Sequence, residues 1–143
     1  MPDIVETAAS AGNFRTLVTA IRAAGLSEAL QGSGPFTIFA PTDDAFNQLD
    51  PETRERLFRD PPRLNVLLSY HVLPNRVRGS DAIVMTHDGN VAEVPTILGV
   101  PVRVRREGVT ARELHVNDAT VVVPHIEASN GIIHGIDRVI LPP

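Results

Sequence analysis

The sequence predicts an α+β domain, helices first and antiparallel strands after. Three observations carry that reading. Apolar residues recur at helical spacing early on: Phe14, Leu17, Val18 and Ile21 fall at i, i+3, i+4 and i+7. Capping residues punctuate the middle, where Thr42, Asp50-Pro51 and Asp60-Pro61 each stand ahead of a helix-forming run. From Arg76 onward β-branched residues dominate, and VPVRVR at 100–105 alternates strictly.

The elements follow in order. Asp3 and Glu6 have capping-box spacing, so a short helix starts at Ile4, with Ile4, Val5 and Ala8 inward. Asn13 opens a second helix and Gly25 stops it. Leu26 to Leu30 gives one more turn before QGSGP. Phe36 to Phe39 reads as a short buried strand that Pro41 ends. Thr42 caps the next helix, with Asp43 and Asp44 in a first turn whose dipole favours negative charge. Asp50-Pro51 and Asp60-Pro61 repeat the device, giving three helices in series over residues 42–73.

In the second half, Asp88-Gly89 and Asn130-Gly131 are turn signals. Val100, Val102 and Val104 share one strand face, and Arg103 and Arg105 the other. Leu114–Val116, Thr120–Ile126 and Ile132–Leu141 complete the strands. Pro124 within a strand requires an edge or a bulge.

The 143 residues fit one domain, 1–143, large enough to fold without metal or disulfide. There is no cysteine, which excludes disulfides, thiolate nucleophiles and Cys-based metal centres. All basic residues are Arg, so Schiff-base chemistry and a P-loop lysine are excluded as well. A net charge of −4 argues against a nucleic-acid partner. No run reaches the ~20 apolar residues of a membrane span, which leaves only peripheral membrane association open. MPDIVETA has neither a basic n-region nor an apolar h-region. The chain as given is expected to be cytoplasmic, or secreted or periplasmic if a leader was removed.

Two polar aromatic residues interrupt the apolar run VLLSYHVLP at 66–74. Leu64, Leu67, Leu68 and His71 share a helical stripe, and Tyr70 lies about 100° around. On a strand, Ile132, His134, Ile136 and Ile140 share one parity. An unpartnered buried imidazole or phenol costs roughly 1–3 kcal/mol, so Tyr70, His71 and His134 must find hydrogen bonds inside. Burial should lower the pKa of His71 or His134 unless a carboxylate neighbours it. No metal or cofactor is expected, because His115 and His125 have no ligand-like spacing to the inward pair. Catalytic residues are not expected either. There is no G-x-S-x-G, and Ser69 cannot face His71 on a helix. The Gly-rich GSG at 32–34 precedes a strand, not a helix. Arg54, Arg56, Arg59 and Arg63 have acidic neighbours, and Arg103, Arg105 and Arg106 form a candidate docking patch for an acidic surface.

FTIFAPTDDAF, LLSYHVLP and NGIIHGIDRVILPP, in this order, resemble the signature blocks of the fasciclin-like domain family. The resemblance covers about Ile4 to Pro142. It implies a wedge-shaped fold, a twisted antiparallel β-sandwich of about seven strands with N-terminal and central helices. It also implies that Tyr70-His71 is packed inside, holding helix to sheet. Some animal members use that pair and a Pro-Asp-Ile motif in integrin-mediated adhesion. Here Pro124-His125-Ile126 replaces the motif, and the acidic residue that would engage an integrin metal is missing.

The resemblance implies a small bacterial domain without enzymatic activity, acting as a monomer that docks on a larger protein partner of unknown identity. Two narrower roles occur in the family. One is an accessory subunit of a cyanobacterial NAD(P)H dehydrogenase-like complex for CO₂ uptake. The other is a water-soluble carrier of an apolar small molecule such as a carotenoid, for which 4% aromatic residues is thin support.

Overall fold

The computed structural model describes residues 3–32, 34–74, 92–107, 113–117 and 119–140. The turn expected at Asp88-Gly89 lies outside them, as do the side chains of Arg106, Pro124 and His125. The chain begins with three helices, α1 (Ile4–Ala11), α2 (Arg15–Ala23) and α3 (Ser27–Leu30), followed by strand β1 (Phe36–Pro41). Then come α4 (Asp43–Asn47), α5 (Pro51–Arg59), α6 (Pro61–Ser69) and the two-residue strand β2 (Val72–Leu73). The rest is β3 (Ala92–Pro95), β4 (Pro101–Glu107), β5 (Glu113–Val116), β6 (Ala119–Ala128) and β7 (Gly131–Ile136).

Local chemistry sets most boundaries. Asp3 caps α1 by accepting the Glu6 N–H at 2.9 Å. Thr42 does the same for α4 through the Ala45 N–H at 3.2 Å, and Asp60 for α6 through Arg63 N–H at 3.4 Å. Asp50 occupies the cap position of α5 but makes no side-chain cap bond. There the pre-set φ of Pro51 starts the helix unaided. Gly25, at φ +73°, turns the chain out of α2 in the left-handed region where only glycine is unstrained.

The strands join in one seven-stranded sheet, in the order β2-β1-β7-β6-β5-β4-β3. It is mixed. β1 and β7 run parallel over six residue pairs, from Phe36↔Gly131 to Pro41↔Ile136, and the other pairs are antiparallel. The sheet is thus mostly antiparallel, as the sequence predicts, with this one parallel pair added. Chain direction between strands so far apart in sequence leaves no local signal. Pro124 resolves as a bulge, because the β6–β7 register shifts between Val121 and Val123 and again between Val123 and Ile126.

Laid flat, seven strands would span about 29 Å at ~4.8 Å per step. Yet Leu73 of β2 and Val94 of β3, at opposite ends of the order, share one buried cluster. The Ile97 N–H just after β3 donates to Val72 O of β2 at 2.9 Å. The sheet therefore curls until its ends meet, which gives one sheet the two-layered character of a sandwich.

Two cores result. Helices α1, α2 and α6 pack over one side of β1 and β7, burying Phe14, Leu17, Ile21, Leu64 and Leu68 with Ile38 and Ile133. On the other side, Phe39 and Ile136 meet Tyr70, Leu73, Val102, Val104, Val116 and Ile140. All six residues of β7 are buried, since both faces of this strand are covered. β7 also ends at Ile136 rather than running to Leu141. Asp137 takes Thr120 instead, donating its N–H to Thr120 O at 3.1 Å and accepting Thr120 N–H on Oδ1 at 2.8 Å.

Candidate functional site

The Tyr70-His71 pair stands where α6 ends and the sheet begins. α6 stops at Ser69, Tyr70 is its C-cap, and His71 follows with its N–H donating to Leu68 O at 2.9 Å. The i+7 phase thus persists two residues beyond the helix, and His71 is fully buried. Its Nδ1 lies 2.8 Å from Leu67 O, and its Nε2 lies 3.1 Å from the Ile140 nitrogen. A carbonyl can only accept and an amide N–H can only donate. The ring is therefore the neutral tautomer with hydrogen on Nδ1, donating to Leu67 and accepting from Ile140. Burial lowers its pKa from 6.5 to about 4, against a smaller upward pull from the Leu67 carbonyl. The backbone carbonyl of His71 also accepts Phe39 N–H at 2.8 Å. One residue thereby joins α6, β1 and the segment after β7.

Tyr70 is 3% exposed. Its hydroxyl donates to Pro101 O at 3.2 Å and accepts from Asn117 Nδ2 at 2.9 Å. Asn117 has φ +54°, and its Oδ1 accepts Arg103 N–H at 2.8 Å. The phenol therefore ties the end of α6 to the start of β4 and to the turn between β5 and β6.

A third brace was hidden in the Asn130-Gly131 turn. Asn130 is 5% exposed, and its Oδ1 accepts the first N–H of α1, from Ile4, at 2.9 Å. Its Nδ2 donates to Leu30 O at 2.6 Å and to Gly32 O at 2.8 Å. The sequence marked this residue only as a turn former. The available clue was its type, since an amide can cap a helix start and a helix end together.

Among the described residues, two further histidines have partners of their own. His134 is 3% exposed and stacks on Phe39, its register partner across β1–β7, with ring centroids 5.8 Å apart. His115 is half-buried on β5 with Nδ1 3.2 Å from Thr120 Oγ1. His125 and Pro124 lie in β6, beside Ile126, which packs against the helical core. Among the described residues no group of three or more His, Asp or Glu is placed to hold a metal ion.

On the surface, Arg56–Glu52, Arg59–Glu55 and Arg63–Asp60 are exposed intrahelical pairs, and Arg54 donates to Asn47 Oδ1 at 3.0 Å. Arg103 is exposed on β4, 3.9 Å from Glu93 of β3. Arg105 is half-buried opposite His115, and Arg106 lies on the same strand. An open depression of about 560 Å³ is lined by Asn13, Thr42, Asp43, Asp44, Gln48 and Val122, among others. A second, of about 430 Å³, is lined by Thr16, Pro51, Arg54, Glu55 and Phe58. No described helix is long and apolar enough to cross a membrane.

A helix-covered, curled sheet whose interior polar groups brace one element against another defines an α+β domain of mixed, mostly antiparallel sheet. The chain belongs to the fasciclin domain family, whose model matches residues 12–142. That family is associated with adhesion and protein binding, and its domains are generally non-catalytic. The chain is 44% identical over 142 residues to uncharacterized protein sll1735 of Synechocystis, spanning 99% of this chain and 98% of that one. It is 42% identical to protein sll1483 of the same organism, spanning 98% of this chain and 73% of the relative. Among solved structures it resembles the FAS1 domain pair from the insect cell adhesion molecule Fasciclin I, with a TM-score of 0.71 at 21% identity. That likeness covers 92% of this chain and 46% of the pair, and it shows the fold. These relatives give no support to the carbon-uptake identity.

Proposed function

We propose that the domain works by contact, as a non-enzymatic module that docks on a larger protein partner. One observation carries the reading. Tyr70 and His71, polar side chains of the kind that do chemistry, are buried and bonded to backbone groups and Asn117. A buried group already engaged with the fold is not available to a substrate. The family's association with adhesion and protein binding supports the same conclusion.

The candidate docking face is the outer side of β3 and β4, where Arg103 projects beside Glu93. An exposed pair at 3.9 Å is weak, so a partner carboxylate competes with Glu93 at little cost. The test is affinity capture from the native source, with wild type and an Arg103→Glu/Arg105→Glu variant of equal melting temperature. Loss of a specific, identified protein from the variant supports the face. Equal recovery by both removes it, and no specific protein with either removes the contact reading. Two preparations decide the narrower roles, the native-source capture for the first and expression in a second host for the other. Recovery of an NAD(P)H dehydrogenase-like complex would indicate the CO₂-uptake subunit. Coloured protein from a carotenoid-producing host would indicate the apolar carrier.

A further inference from the structure

The segment 138–140 leaves β7 and folds back against the end of α6. Its root is fixed independently of His71: Asp137 bonds twice to Thr120, and its carbonyl accepts from Gln48 Nε2 at 3.1 Å. Beyond Asp137, among the described residues, the hydrogen bond that ties the segment down runs from Ile140 N–H to His71 Nε2, at 3.1 Å. The Ile140 side chain is fully buried in the cluster that holds Phe39, Tyr70 and Leu73. We propose that His71 is an acid-sensitive latch, whose protonation at Nε2 releases segment 138–140 while the sheet stays folded.

The chemistry is local. The neutral ring presents its Nε2 lone pair to the Ile140 N–H. A proton on Nε2 turns that acceptor into a donor facing a donor. The bond from Nδ1–H to Leu67 O survives, because Nδ1 carries its hydrogen in both states. Protonation therefore breaks the attachment on the Ile140 side and leaves the α6 side intact.

The groups packed around the ring sharpen the effect. On α6 the ring meets the Leu67 carbonyl, and the neighbouring Tyr70 hydroxyl is engaged by Pro101 and Asn117. From β1, Phe39 contributes a backbone N–H to the His71 carbonyl. From the segment itself come the Ile140 N–H and, at its root, Asp137, whose Oδ1 is occupied by Thr120 N–H. Arg138 is exposed. Among the described residues, the influences on the ring's basicity are desolvation and the Leu67 carbonyl, with no counter-ion among them. Once Ile140 lifts away, water reaches the ring and its ordinary basicity returns. Between pH 6.5 and about 4 the open form then gains up to about tenfold for each unit of acidification, about 80-fold over the window.

The experiment is amide exchange on the full chain by NMR from pH 7 to pH 4, corrected for intrinsic rates, with the His71 ring titrated alongside. Ile140 should lose protection as the pH falls while Ile132 to Ile136 of β7 keep theirs. His71→Gln, which is neutral throughout, should abolish the pH dependence at Ile140. The latch is overturned if Ile140 stays as protected as β7 down to global unfolding, or if both lose protection together. Should His71→Gln fail to fold, the wild-type ring decides alone. Its Nε2 must take up the proton in step with the loss at Ile140, and titration out of step overturns the proposal.

Discussion

His71 has both ring nitrogens bonded, and a change at this one residue reaches three elements. Truncating it leaves the Ile140 N–H without its partner, removes one of the two donors to the Leu67 carbonyl, which keeps the Tyr70 N–H at 3.2 Å, and opens a cavity at a fully buried position. His71→Ala should cost about 2–4 kcal/mol at pH 7, measured by urea unfolding. The same substitution should flatten the acid limb of the stability curve. The folded pKa of about 4 lies below the unfolded 6.5, so the unfolded chain binds more protons between these values. The histidine's contribution is then complete above pH 6.5 and declines as the pH falls toward 4, by up to about 3 kcal/mol. A variant with an unchanged midpoint at pH 7, or an unchanged acid limb, would contradict this account. At this scale the sequence was readable where stripe and parity pointed: His71 and His134 sit on apolar faces, whereas Tyr70 lies about 100° off the stripe and is buried all the same. Their partners were not readable, because Ile140 and Asn117 lie 69 and 47 positions away.

At the scale of elements, helix starts were the most legible feature, and they separate by mechanism. Thr42 uses its hydroxyl on Ala45 N–H, whereas Asp50 makes no side-chain cap bond. Thr42→Ala should therefore destabilise by about 1 kcal/mol, and Asp50→Ala should stay within about 0.5 kcal/mol. Thermal melts of the two variants check the contrast, and equal losses would refute it. The first acidic residue after Thr42 serves tertiary structure as well. Asp43 Oδ1 accepts Thr16 N–H at 2.8 Å, which fixes the start of α2 against α4. Strand ends were less legible. β2 is two residues long and lies inside a run that reads as helix, and β7 stops where Asp137 takes Thr120 rather than at a turn residue.

For the whole molecule, β1 and β7 belong to both cores, with Ile38 and Ile133 on the helical side and Phe39 and Ile136 on the other. The two clusters should therefore unfold together. Gly131 tests this, because it sits where β7 passes the start of β1 and α1. A Cβ there would overlap Phe36 O and press on Ile4 Cδ1. Gly131→Ala should cost toward the upper end of the about 1–3 kcal/mol typical of core overpacking. Circular dichroism reports mainly the helices, and the fluorescence of Tyr70, the one tyrosine in a chain without tryptophan, reports the second core. Both midpoints should fall by the same amount. Separate transitions would show that the cores are independent.

The sequence alone determined the α+β class, most helix starts and the inward-facing His71 and His134, because each rests on local periodicity or capping within a few neighbours. Tertiary structure alone decided the parallel β1–β7 pair, the curl that brings β2 to β3, and the partners of Tyr70, His71 and Asn130. Those depend on contacts between residues far apart in the chain. Local patterning marks which groups must be satisfied inside; only the packed fold determines what satisfies them.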